Sequence, residues 1–155
     1  MKIDGKFAEM LRRDGFLVYK TQGVSMRPLF KQNRDLVTIK PYHGRLKKYD
    51  VPLYPKKNGS GYLLHRIIEV RENDYVIRGD NTFVKEYGIT DDDIIGVLTD
   101  FKRKGKSYSV SHTGYRLYAR IWNSIYPLRH LLRKCRLLGG KVKRAIKGEK
   151  KRDHS

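Results

Sequence analysis

Tyr62-Leu63-Leu64-His65-Arg66-Ile67-Ile68-Glu69-Val70, then Glu72-Asn73-Asp74, then Tyr75-Val76-Ile77, carries the clearest signal of fold class in the chain. An apolar, β-branched run, a turn composition and a second β-branched run predict an antiparallel hairpin. The same signal recurs on both sides. Phe16-Leu17-Val18-Tyr19 and Leu36-Val37-Thr38-Ile39 read as strands, the second stopped by Pro41. Val51-Pro52-Leu53-Tyr54 reads as a strand whose proline requires an edge position or an irregular start. Ile94 to Phe101 and Tyr108 to Val110 supply two more around Lys104-Gly105-Lys106. A short helix over Lys6 to Arg13, with Phe7, Met10 and Leu11 on one side and Gly15 after it, precedes them all. Short strands joined by turns, with no internal repeat, predict a mainly β, antiparallel domain over residues 1–111.

From Tyr115 onward the period changes. Tyr118, Ile121, Ile125, Leu128, Leu132 and Cys135 follow the three-four spacing of one helix face, flanked by Arg116, Arg120, Arg129, Arg133, Lys134 and Arg136. Pro127 should break or bend this helix, with Ser124 as a cap for a second segment. Residues 112–140 therefore read as a basic amphipathic helical appendage, and residues 141–155 as a basic, disordered tail. Such a stripe suits either an anionic membrane interface or packing on the sheet with a solvated basic back.

The charge is uneven. Residues 102–155 hold 17 of the 35 Lys and Arg but only 2 of the 16 Asp and Glu, so most of the +19 net charge lies there. Charge alone confers only non-specific attraction to nucleic acid, which is the least favoured partner. A single cysteine, Cys135, excludes an intramolecular disulfide and fits a reducing, intracellular location. The histidines and the cysteine lack metal-ligand spacing, so neither a metal nor another cofactor is expected. No run of about 18 apolar residues exists, and Met1-Lys2-Ile3-Asp4-Gly5-Lys6 lacks the apolar core of a secretory signal.

Three segments carry chemistry: Gly23-Val24-Ser25-Met26-Arg27-Pro28, His65-Arg66-Ile67-Ile68, and Arg78-Gly79-Asp80-Asn81. They supply a hydroxyl, an imidazole and a carboxylate. A serine hydroxyl becomes a nucleophile when a base removes its proton, and the base works best when a carboxylate orients it. Taken singly, Ser25 and Asp80 read equally as turn residues and His65 as a core histidine; the ordered set is what points to a hydrolase. His43, His112, His130 and His154 have no such context, and Asp91-Asp92-Asp93 reads as a solvated turn.

This set resembles the type I signal peptidases, in the branch that uses histidine rather than lysine as base. Ser25, Met26 and Pro28 match the nucleophile motif, His65-Arg66-Ile67-Ile68-Glu69-Val70 the base motif, and Gly79-Asp80-Asn81 the motif that follows. Asp50-Val51-Pro52-Leu53-Tyr54 is similar to the family's intervening strand, with Tyr49 where glycine is usual, and Ile94-Ile95-Gly96-Val97-Leu98 to its closing strand. The resemblance spans roughly residues 16–101. It implies a folded antiparallel sheet, catalytic Ser25, His65 and Asp80, and substrate binding at Gly23, Met26 and Pro28. It also implies an extended peptide substrate with small side chains near the cut, and activity that falls on the acid side of neutral. Gly23 stands where the family often has a hydroxyl that helps hold the oxyanion, leaving the second donor unassigned. Without a membrane anchor, the expected work is trimming a leader or precursor peptide in the cytoplasm or at the inner membrane surface. Two alternatives remain at this level. One is the self-cleaving repressor branch of the same superfamily, which uses lysine and needs a cleavable upstream linker, although only 24 residues precede Ser25. The other is a catalytically degenerate fold serving as a peptide-binding or membrane-surface adaptor.

Overall fold

A computed structural model of the 155-residue chain describes residues 6–57 and 61–136. The expected disordered tail, residues 141–155, lies outside the described residues. The protein is mainly β, with two antiparallel sheets. Helix α1 (Lys6–Asp14) leads into β1 (Leu17–Lys20), β2 (Leu36–Lys40), β3 (Pro52–Pro55) and β4 (Tyr62–Leu64). β5 (Arg66–Val70), β6 (Tyr75–Arg78) and β7 (Glu86–Ile89) follow, then a 3-10 turn at Asp91–Asp93. β8 (Gly96–Arg103), β9 (Lys106–Ser109) and helix α2 (Thr113–Ser124) complete the order.

The larger sheet runs β1-β2-β8-β3-β4, with β9 also paired to β8. β8 can serve three partners because it is eight residues long: Gly96 and Val97 face β3, while Asp100 to Arg103 face β9. The smaller sheet is β5-β6-β7, and all four residues of its central strand are buried. β2 alternates as a half-buried strand should, with Val37 and Ile39 inward. They join Leu11, Leu17, Met26, Phe30, Leu53 and Phe101 in one apolar core, and Ile67, Tyr75, Ile77 and Ile89 form a second. Burying each such side chain contributes about 1.5–3 kcal/mol.

Two expectations need correction. Tyr62 to Val70 is not one strand. The chain changes sheets at His65, with Leu64 paired to Leu53 in the larger sheet and Arg66 paired to Arg78 in the smaller. Periodicity misses the break because both halves are apolar, each serving a different core. Glu86–Ile89, unassigned from sequence, is a strand held by the Tyr75↔Ile89 and Ile77↔Glu86 pairings. Pro52 does open β3, an irregular start rather than an edge, since β3 has neighbours on both sides.

The chain divides into two units, Met1–Arg120 and Ile121–Ser155. The boundary falls later than residue 112 because Tyr115 and Tyr118 pack on the larger core and Ala119 is buried. In the second unit the helix is interrupted at Ile125, two residues before Pro127, and resumes over 126–136. There the Arg129 guanidinium lies 3.7 Å from the centre of the Trp122 ring. Ile121, Ile125, Leu128, Leu131, Leu132 and Cys135 are exposed.

Candidate active site

The turn that carries Ser25 leaves the larger sheet after β1 and is tied back at Thr21. The Thr21 N–H donates to the Asp35 carbonyl at 3.0 Å, and Asn33 N–H to the Thr21 carbonyl at 2.9 Å. Gly23 follows with φ +77°, in the left-handed region. A Cβ there would meet nothing within 4 Å, so backbone conformation rather than space favours glycine. Ser25 is half-buried, and neither its Oγ nor its N–H makes a hydrogen bond among the described residues.

His65 sits at the break between β4 and β5, where the two sheets diverge, and is 6 % exposed. Its Nδ1 lies 2.7 Å from Oε1 of Glu86 and 3.3 Å from the Tyr54 hydroxyl. The Glu86 contact assigns the proton to Nδ1 and leaves the lone pair on Nε2. Nε2 is buried and has no hydrogen-bond partner among the described residues. Such a group costs about 1–3 kcal/mol when nothing satisfies it, which is why these atoms mark functional sites.

Gly79 brings the two segments together. A Cβ on it would lie 2.8 Å from the Ser25 carbonyl oxygen and 3.1 Å from His65 Nε2, so only glycine lets β6 end between them. Asn81 then clamps the turn. Its N–H donates to the Ser25 carbonyl at 2.7 Å and its side-chain amide to the Val24 carbonyl at 3.2 Å.

Asp80 does not meet His65, and its expected role as the orienting carboxylate is corrected here. Both its oxygens accept from Arg66, Oδ1 from Nε and Oδ2 from the terminal nitrogen, each at 2.8 Å. Tyr118 donates to Oδ2 at 3.0 Å. Arg66 donates further to the Tyr49 carbonyl and the Tyr115 hydroxyl, each at 3.0 Å. Burial by itself lowers the Arg66 pKa, but the Asp80 charge, the Tyr115 hydroxyl and the hydrogen bonds to both together outweigh this and raise it. The pair is thus a buried structural bridge that fixes Gly79 and Asn81, and α2 reaches it through Tyr115 and Tyr118.

Glu86 takes the contact assigned to Asp80 because of strand register. Ile67, two residues after His65, faces Ile77, which faces Glu86 across the next strand pair. Burial pushes the Glu86 carboxyl up, but hydrogen bonds from His65 and Tyr54 and the nearby Lys57 charge outweigh it and hold the carboxyl below its usual value. Only its place at the head of Glu86-Tyr87-Gly88-Ile89, six residues beyond Asp80, hints at Glu86 in the sequence.

The residues expected to bind substrate separate. Gly23 and Met26 line a cavity of about 430 Å³ that also includes Ser25. Pro28 is exposed, lies in the turn and is not among the residues lining that cavity. Tyr49 has φ 81°. It is held there by its N–H to the Ile67 carbonyl at 2.9 Å and by Arg66 on its own carbonyl. Among the described residues no group of three or more His, Cys, Asp or Glu is placed to hold a metal ion. No helix among them is long and apolar enough to cross a membrane. Comparison with protein-family models, curated proteins and solved structures finds no match to this chain.

Proposed function

We propose that this chain is a serine endopeptidase of the signal-peptidase type, acting through Ser25, His65 and Glu86. The observation that carries the reading is the buried, unpartnered Nε2 of His65, with Nδ1 held 2.7 Å from Glu86 and Gly79 bringing the Ser25 segment alongside. Ser25 Oγ attacks the scissile carbonyl as His65 Nε2 takes its proton. The acyl-enzyme forms when His65 returns that proton to the leaving amine, and water completes the cycle by the same route. Glu86 holds the tautomer and stabilises the imidazolium that forms in each step. The free Ser25 N–H is one oxyanion donor. Asp80 is a positioning residue, acting through Gly79 and Asn81. The test is labelling by a fluorophosphonate probe. Ser25 of the native chain should react, while Ser25→Ala and His65→Ala should not; equal labelling of native and Ser25→Ala would refute the assignment.

The exposed apolar residues beyond Arg120 favour a second element of this reading. Leu128 and Leu131 are each 58 % exposed beside Arg129 and Arg133, a composition suited to an anionic membrane surface. The expected site of action is therefore the cytoplasmic face of that membrane, with a leader or precursor peptide as substrate. Flotation with anionic vesicles tests this, since Leu128→Glu with Leu131→Glu should abolish it.

A further inference from the structure

The cavity beside Ser25 has a size and lining that the family resemblance does not lead one to expect. Its volume is about 430 Å³. Two of its walls are the strands at opposite ends of the larger sheet, β1 through Tyr19 and β4 through Tyr62 and Leu64. Phe7 of α1 spans them, its ring 5.4 Å from that of Tyr19 and stacked at 5.0 Å on that of Tyr62. Met26 and Phe30, 7 % and 3 % exposed, add core surface to the lining. Among the described residues that line it there is no carboxylate, and Lys20 is the only cation.

Resting on the peptidase reading, we propose that this chain selects a bulky apolar side chain, aromatic above all, at one substrate position next to the scissile bond, with Phe7 as a specificity-determining residue. An extended peptide added along a free strand edge directs alternate side chains to one face, so a single residue near the cut enters the cavity. A methyl group would leave most of this volume to water, including the part lined by Phe7, Tyr19, Met26 and Tyr62 as well as the polar side with Thr21 and Gln22. A phenyl or isobutyl group fills more of it against aromatic rings and is favoured by desolvation and ring contact. A cationic side chain finds no counter-charge there. The expected discrimination between Phe and Ala at that position is roughly ten- to hundredfold in kcat/KM.

A proteome-derived peptide library digested with the full chain, and read by mass spectrometry, tests this. Cuts that vanish in Ser25→Ala should share one position, within three residues of the bond, enriched in Phe, Tyr, Leu and Met. Phe7→Trp should shift that position towards smaller apolar residues and Phe7→Ala towards Trp, with thermal denaturation confirming that both fold. Ser25-dependent cuts flanked by Ala, Gly or Ser would overturn the specificity while leaving the peptidase intact. Absence of any Ser25-dependent cut would instead overturn the peptidase. In that event, titration of the native chain with N-acetyl-phenylalaninamide and N-acetyl-alaninamide, followed by NMR, still decides the pocket. Preferential binding of the phenylalanine amide at Phe7 and Tyr62 supports it, and equal response refutes it.

Discussion

Replacing Asp80 with Asn should cost the protein stability, whereas replacing Glu86 with Gln should cost it reactivity. Arg66 and Asp80 have side chains 0 % and 1 % exposed and share two hydrogen bonds of 2.8 Å. Removing one charge from a buried pair destabilises by about 3–5 kcal/mol, because the other is left uncompensated. Asn keeps one acceptor for Arg66 and for Tyr118, so the lower end, about 3 kcal/mol, is expected for Asp80→Asn. At roughly this chain length each kcal/mol lowers Tm by about 2–4 °C, giving a fall of about 6–12 °C. Glu86 is different. Its side chain is 25 % exposed and its strongest contact is His65 Nδ1. Glu86→Gln should leave Tm within a few degrees and slow fluorophosphonate labelling of Ser25 by about 10²–10⁴-fold, through loss of tautomer control and of imidazolium stabilisation. Both variants are measured at a temperature where each is folded, with Asp80→Asn expected within about tenfold of native labelling. The reverse pattern, Asp80→Asn inert while stably folded and Glu86→Gln fully reactive, would refute the assignment of the two carboxylates.

Acid sensitivity follows from the lowered pKa of Glu86. A depressed carboxyl contributes stability that is full above its unfolded value and is lost as pH falls through the folded value. The Tm difference between native and Glu86→Gln should thus be full at pH above the ordinary glutamate value of about 4.3 and be lost as pH falls below it through the lower folded value. Tyr49 holds a left-handed φ of 81° that strains a residue with a Cβ; Tyr49→Gly should leave stability unchanged or raise it by up to about 1 kcal/mol, while Tyr49→Val should lower Tm. Gly79→Ala would bring a Cβ to 2.8 Å from the Ser25 carbonyl. It should suppress probe labelling at least as strongly as Glu86→Gln, and retained labelling would place the nucleophile turn elsewhere. The intact mass of the purified chain should stay constant during hours at alkaline pH, since the self-cleaving alternative requires it to shorten.

The strands were largely legible because β-branched runs and turn residues act locally. The helix break was legible too, since a proline interrupts a helix for a local reason and Pro127 supplies that reason at its own position. What the runs could not reveal was where a strand changes sheets. Leu64 and Ile67 are both apolar, yet the first packs on the larger core and the second lies in the smaller. The same holds for the site. Ser25 and His65 stand out as candidates from their neighbours in sequence, and the proposed peptidase chemistry calls for a carboxylate beside the histidine. Which carboxylate lies against His65 was decided by register across β5, β6 and β7, a relation between residues far apart in the chain. Asp80, in the more recognisable motif, is claimed by Arg66 because the buried guanidinium requires a counter-charge. Residue order alone was enough for the β class and for the turn at Ser25, because each rests on short-range preference and spacing. The pairing of His65 with Glu86 and the width of the cavity beside Ser25 emerged only with the assembled fold, because both depend on how separate strands and a helix come to lie against one another.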